Sequence, residues 1–474
     1  MTDSVLIKDI DFVMTMNPSR EILKRVSILI KGGKIVEIGA CKNYSENITQ
    51  MLDGRGKIAL PGFINAHAHG LSILARGGLA ADRRLRDWLV NVTHPIYAGC
   101  AAEEIVSALE AFACECIKSG ITTVVEMEGY QDEESSRLLI ETLLNVGLRV
   151  VYAPMVQDLT VPPKIKKLEE LFTCSNIRGV TREHHHHNLD FKRMICGMEQ
   201  LICNYHGCYN DMVRIYPSTS NIFEISASAL QGLLKLAEKY NTLVTTHVAE
   251  SDLLESIKCG LNAVDYLATI GCLNDRMVLA HCVQVNDRDI RLIKASGAKI
   301  VHNPAANAYL GSGIAPVHKF ILSGIPVGVG LDNPNCNDSI NMLADLRLAA
   351  LAQKGVNKDP ACISAEKVLE MATIDGAHLL NYQSKIGSIE KGKDADIILI
   401  GTNFLHLQPI YHLPSVLVYQ SKGHEVDTVI IGGRLVMNNG RLVNLNERLV
   451  TENLVKSSKK VLQKMGLDYL TTIL

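Results

Sequence analysis

The stretch PGFINAHAHG, residues 61–70, closes an apolar run with two histidines one residue apart. Side chains at i and i+2 of a β-strand face the same side, so His67 and His69 can both project from the strand end toward one point. By itself the pair fits two surface histidines as well as a metal claw, and the rest of the chain has to decide. Seven further β-rich runs follow: ITTVVEM, LRVVYAPM, MVRIYPST, LVTTHVAE, MVLAHCV, AKIVHNP and IPVGVGLDN. Strands buried on both faces of a parallel sheet read as near-continuous apolar runs, and most of these runs precede a helical pattern. Eight such units predict an α/β fold, a (β/α)₈ TIM barrel over residues 61–384.

The runs end in polar residues. His67 and His69 close the first, His247 and Glu250 the fifth, His281 the sixth, His302 and Asn303 the seventh, and Asp332 the eighth. The C-terminal ends of barrel strands build the active face. Imidazoles with one carboxylate at that mouth suit a single divalent ion, Zn²⁺ first and Fe²⁺ second, with a position left open for water.

Both ends of the chain read differently. SILIKGGKIVEIG and VIIGGRLVMNNGRLV are paired alternating segments around Gly32-Gly33 and Gly432-Gly433, the form of hairpins. They predict a small composite β-sandwich from residues 1–60 and 385–450, followed by a C-terminal helix over 451–474. The 48 lysines and arginines nearly balance the 50 acidic residues, which excludes a global field for nucleic acid or an anionic membrane. No apolar run approaches the roughly 20 residues needed to span a bilayer. Thirteen cysteines without a CxxC pair, and no secretory leader, point to reduced thiols in the cytoplasm. Residues 161–209 depart from the pattern and carry the tract His184–His187, read as part of a long solvated loop able to scavenge stray metal.

PGFINAHAHG, THVAESD, LAHCV, NAYLGSGIAP and GLDNPNCNDSINM together resemble the amidohydrolase superfamily, in its mononuclear deaminase and chlorohydrolase branch. The likeness runs over nearly the whole chain and is greatest to melamine deaminase and atrazine chlorohydrolase, with guanine deaminase and the S-adenosylhomocysteine/methylthioadenosine deaminases as further relatives. It implies that His67, His69, His247 and Asp332 hold the metal. It also implies that metal-bound hydroxide attacks a ring carbon, that Asp332 takes the water's proton, and that Glu250 protonates the neighbouring ring nitrogen. His281 is placed beside the ion, although some members of the superfamily use the matching residue as a ligand. The fourth run, VRIYPSTS, lacks the lysine that bridges two metals in dinuclear relatives, so one ion is expected.

The implied reaction is hydrolytic deamination of a purine, pterin or triazine-like ring with release of ammonia. The alternatives are a dechlorinase or alkylamine-releasing triazine hydrolase, an S-adenosylhomocysteine/methylthioadenosine deaminase, and a catalytically dead barrel used as a scaffold. The partner is then a small heterocycle, and analogy implies a homo-oligomer, dimer or larger. Trp88 in RDWLVNVTHP is a candidate aromatic wall, with His94 and Tyr97 behind it. Asn307 and Tyr309 in HNPAANAYLGSG, and Asn333 and Cys336 after Asp332, are candidate substrate contacts. The arginines that would hold an amino-acid tail have no clear counterpart among Arg76, Arg83, Arg84 and Arg86.

Overall fold

The computed structural model describes residues 4–40, 48–79, 81–129, 132–159, 191–251 and 260–470. The His184–His187 tract lies outside the described residues.

All eight runs become parallel barrel strands: Phe63–Ala68, Ile121–Gly129, Arg149–Met155, Val213–Ile215 continued by Ser218–Asn221, Val244–Val248, Met277–His281, Lys299–His302 and Val327–Val329. The fourth is broken at Pro217, which has no N–H to give a ladder. A parallel bridge between Ala68 and Asp332 and a 2.9 Å bond from Asp332 N–H to the His67 carbonyl link the last strand to the first. Alternation sorts the side chains. Ile64, Ala66, Val125, Met127, Val151, Ala153, Tyr216, Val278 and Val301 make one cluster inside the barrel. Their strand neighbours Phe63, Val124, Val150 and Ile300 join the larger core beneath the helices. Helices return between strands with ordinary caps: Asp132 accepts from Ser135 N–H at 2.7 Å, and Asn286 with Asp289 forms a capping box.

The chain ends build a separate sheet of nine strands, eight on one hydrogen-bonded path and the ninth, Gln50–Asp53, pairing with the first strand beside it. Five are N-terminal: Ser4–Met14, Ile22–Lys31, Lys34–Gly39, Gln50–Asp53 and Lys57–Pro61. Four are C-terminal: Ile397–Gly401, Val426–Ile431, Arg434–Asn438 and Arg441–Leu442. Lys57–Pro61 joins the two sets, running parallel to the first strand and antiparallel to Ile397–Gly401. Residues from both sets, among them Ile7, Ile28, Ile35, Leu52, Ile397 and Ile430, bury one common cluster. The two Gly-Gly turns meet. All four glycines have positive φ, and a Cβ on Gly433 would sit 2.4 Å from the Gly33 Cα, so no side chain fits there.

Within the span expected to be sheet, the helix Leu413–Tyr419 instead packs against the barrel helices Met342–Asn357 and Ala365–Met371. The C-terminal helix also differs from the expected 451–474. It runs Glu447–Met465, because Asn446 caps it four residues early, accepting from Arg448 and Leu449 N–H, and Gly466 ends it in a left-handed conformation. Among the described residues, no helix is long and apolar enough to cross a membrane.

Candidate metal centre

Strand ends one, five, six and eight converge as the spacing predicts. His67 Nε2 lies 3.4 Å, His69 Nε2 3.6 Å and His281 Nε2 3.8 Å from carboxylate oxygens of Asp332, and His69 Nε2 lies 3.1 Å from His247 Nε2. The ligating atoms of His67, His247, His281 and Asp332 all fall within 4.8 Å of one another. His281 is thus as close to the centre as the residues expected to be ligands, and His69 stands at the same centre through His247 and Asp332. Backbone geometry delivers these side chains: Ala249, His281 and Asp332 have φ of 54°, 75° and 62°. A non-glycine residue held left-handed costs of order 1–3 kcal/mol, and such strain collects at functional sites. Gly330 makes room, since a Cβ there would sit 2.4 Å from Asn303 Oδ1 and 2.7 Å from the His67 Cβ.

The imidazoles are set up as metal donors. His69 Nδ1–H donates to the Met127 carbonyl at 2.5 Å, His247 Nδ1–H to the Ser220 carbonyl, and His281 Nδ1–H to Asn307 Oδ1 at 2.8 Å. A carbonyl oxygen only accepts, so the proton sits on Nδ1 and the Nε2 lone pair points to the centre, that of His281 lying 3.2 Å from Asn303 Nδ2. His67 is fully buried, and neither of its nitrogens has a hydrogen-bond partner among the described residues. A buried polar group left so is costly unless something outside the protein fills the gap. Burial holds His67 and His247 below the usual imidazole range and His69 down at about 3, so they are neutral, as ligation requires. Burial alone would raise Asp332, but the surrounding histidines, His67 first, hold it well below the usual carboxylate range. The donor set fits one divalent ion of the zinc type.

Glu250 is largely but not fully buried, with Oε1 3.8 Å from His281 Nδ1. Burial raises its carboxyl to about 7; His281 opposes the rise and Asp332 adds to it. Trp88 is 2% exposed, and its indole N–H has no partner among the described residues. Tyr97 accepts from Asn333 Nδ2 at 3.1 Å, joining the loop after the first strand to the loop after the last. Tyr309 donates to Asp338 at 2.9 Å, and Asp338 also accepts from Gly77 N–H at 3.1 Å. Cys336 is buried with its thiol pushed up by burial and by Asp332, which fits a wall rather than a nucleophile. Arg76 is taken by a bidentate pair with Glu115, and Arg83 by Asp87. His302 is buried with both nitrogens unpartnered among the described residues.

Two residues escaped the sequence reading. Glu126 and Glu128, on the second strand, are both buried. Glu126 accepts from Gly70 N–H at 2.6 Å and Glu128 from Leu71 N–H at 3.2 Å, gripping the backbone directly after His69. Burial raises Glu126 to about 8 and Glu128 well above the usual carboxylate range, the latter also through the charge of Glu126. The available signal was a pair of carboxylates at i and i+2 in a run otherwise fit for burial.

The amidohydrolase family model matches residues 58–436. A 5'-deoxyadenosine deaminase of Methanobrevibacter smithii is 33% identical over 470 residues, covering 98% of this chain and 99% of its own. An S-triazine hydrolase of Gordonia rubripertincta is 33% identical over 327 residues, 68% of each chain. The crystal structure of an atrazine chlorohydrolase from Arthrobacter aurescens TC1 complexed with zinc superposes with a TM-score of 0.84 at 26% identity, covering 96% of this chain and 100% of that one.

Proposed function

The chain belongs to the amidohydrolase family, and from that premise we propose that it is a hydrolytic deaminase of an amino-substituted nitrogen heterocycle, releasing ammonia. The observation that carries the reading is the set of histidines whose Nδ1–H groups are engaged outward while their Nε2 atoms gather at the centre beside Asp332, with largely buried Glu250 beside them. His67, His69, His247 and Asp332 hold one ion, zinc being the first candidate and iron the second, with His281 close enough to complete or replace a ligand. When bound, the ion supplies Lewis-acid charge that lets water act as a nucleophile near neutral pH.

The protein's own groups handle the protons. Glu250 holds a proton on its carboxyl and passes it to the ring nitrogen as water adds to the adjacent carbon. Asp332 takes a proton from that water and returns it to the departing amine. Trp88 walls the flat ring, and Asn307, Tyr309, Asn333 and Cys336 border it. The paired state of Arg76 and Arg83 favours substrates without a carboxylate tail. None of the ten described cysteines is joined in a disulfide, in keeping with a reducing cytoplasm, and a homo-oligomer follows from analogy alone.

The test is ammonia release from zinc-loaded protein against deoxyadenosines, methylthioadenosine, guanine, pterins, cytosine and aminotriazines. A variant with His184–His187 replaced by alanine runs alongside, so that tract-bound metal is not counted. A second reading, displacement of chloride or an alkylamine from a triazine, is favoured by the likeness to S-triazine hydrolase. Chloride release without ammonia would select it.

A further inference from the structure

A second cluster of metal-donor side chains lies on the segments that follow the barrel strands. His406 sits in the short turn Leu405–Leu407, and His424 and Glu425 directly precede the sheet strand Val426–Ile431. One ligating atom from each falls within 4.8 Å of the others. The carboxylate is buried and fixed in place: Glu425 Oε1 accepts from Lys422 N–H at 2.8 Å and Oε2 from Gly423 N–H at 2.7 Å. His406 Nε2 reaches Oε1 at 2.5 Å. Phe404 packs against both imidazoles, with ring centroids 5.6 Å from His406 and 5.4 Å from His424, and the two imidazoles are 5.5 Å apart.

A histidine–carboxylate bond would explain His406 and Glu425 alone. It leaves His424 unexplained, an exposed imidazole held next to the pair by an aromatic ring. We propose that His406, His424 and Glu425 form a second cation site, separate from the barrel mouth, that takes a borderline transition ion such as Zn²⁺, Co²⁺, Ni²⁺ or Cu²⁺. Two imidazole nitrogens and one carboxylate oxygen suit those ions, whereas Ca²⁺ and Mg²⁺ want oxygen shells. Burial opposes the charge on Glu425, but the bonds from His406 and from backbone N–H groups hold its carboxyl below the usual range, so the anion is ready at neutral pH. The ion displaces the proton shared between His406 and Glu425, and the exposed side at His424 gives it entry. Bound, it ties residues 404–407 to 421–425, the two segments flanking the helix Leu413–Tyr419 that packs on the barrel.

The experiment uses full-length protein with His184–His187 replaced by alanine and the barrel site loaded with one equivalent of Zn²⁺. Isothermal titration with further Zn²⁺ is expected to give a second event of one ion per chain, weakened at pH 5.5 by proton competition and absent with Ca²⁺. His424→Ala, on an exposed side chain, should weaken that event at least about tenfold, because losing a ligand costs no less than losing a ligand's supporting bond. His406→Ala should do the same, and Cu²⁺ paramagnetic resonance should lose the coupling of one of its two nitrogens in either variant. A missing second event, or one unchanged in His424→Ala, overturns the site. Neither result depends on the enzymatic reading.

Discussion

Replacing Glu126 with glutamine tests whether the carboxyl pair on the second strand holds protons at neutral pH. Glu126 is raised from an ordinary 4.5 to about 8, chiefly by burial, and Glu128 is raised well above the usual carboxylate range. A carboxyl with its folded value above its unfolded value stabilises the fold fully below the unfolded value and loses that stability as pH rises through the folded one. For Glu126 the window is pH 4.5 to about 8, and the gap is worth about 5 kcal/mol at 1.36 kcal/mol per pH unit. In Glu126→Gln the carboxyl that titrates across this window is gone, its amide oxygen can still accept from Gly70 N–H, and the charge that helps to raise Glu128 goes with it. The slope that Glu126 contributes then disappears. Zinc-loaded wild type should lose roughly 3–5 °C of Tm between pH 6 and pH 9 relative to the variant, because only the part of the window from pH 6 to about 8 is crossed, about 3 kcal/mol, at about 1–2 °C per kcal/mol for a chain of this size. The assay is thermal unfolding of both proteins at half-unit pH steps. Wild-type and variant curves that run parallel from pH 6 to pH 9 would refute the shared-proton account.

Glu250→Gln should keep its zinc by elemental analysis while losing about 10²–10⁴-fold in turnover, the usual contribution of a positioned proton donor. Asp332→Asn should lose both zinc and turnover. Asn307→Leu should free His281 to exchange tautomers, seen by long-range ¹H–¹⁵N correlation of labelled histidine; Asn307→Asp, which still accepts from Nδ1–H, should restore the native pattern. Arg149→Met should cost about 3–5 kcal/mol in denaturant unfolding. The fully buried guanidinium now meets Asp396 at 3.0 Å and 3.1 Å and Asp394 at 3.2 Å; without it Asp394 keeps Lys34, but buried Asp396 loses its counter-charge and retains only the Gly432 N–H.

The barrel could be read because each parallel strand must be apolar on both faces, so the polar residue that ends it stands out. That local rule located His67, His247, His281 and Asp332. It said nothing of which nitrogen each imidazole presents, because the deciding acceptors are Met127, Ser220 and Asn307, on other strands and loops. Asn307 was legible as a pocket candidate but not as the partner of His281, 26 residues away. Glu126 and Glu128 were missed because the second run was valued for its apolar character and taken to end at Met127. The Gly-Gly turns foretold two hairpins. That they touch, and that one sheet links both chain ends through Lys57–Pro61, depends on pairing across more than 300 residues, which no local pattern carries.

That shared sheet sets a timetable for synthesis. The strands from Ser4 to Pro61 leave the ribosome early, but their partners from Ile397 to Leu442 do not exist until the barrel has been made. At 5–20 residues per second the wait is on the order of 20–70 s. Throughout it, the edge that Ile397–Gly401 will occupy is open, with alternate apolar side chains beside it. The nascent N-terminal strands are therefore the part of this protein most in need of a chaperone, and slowing translation upstream of residue 397 should lower the soluble yield even though no native contact is altered.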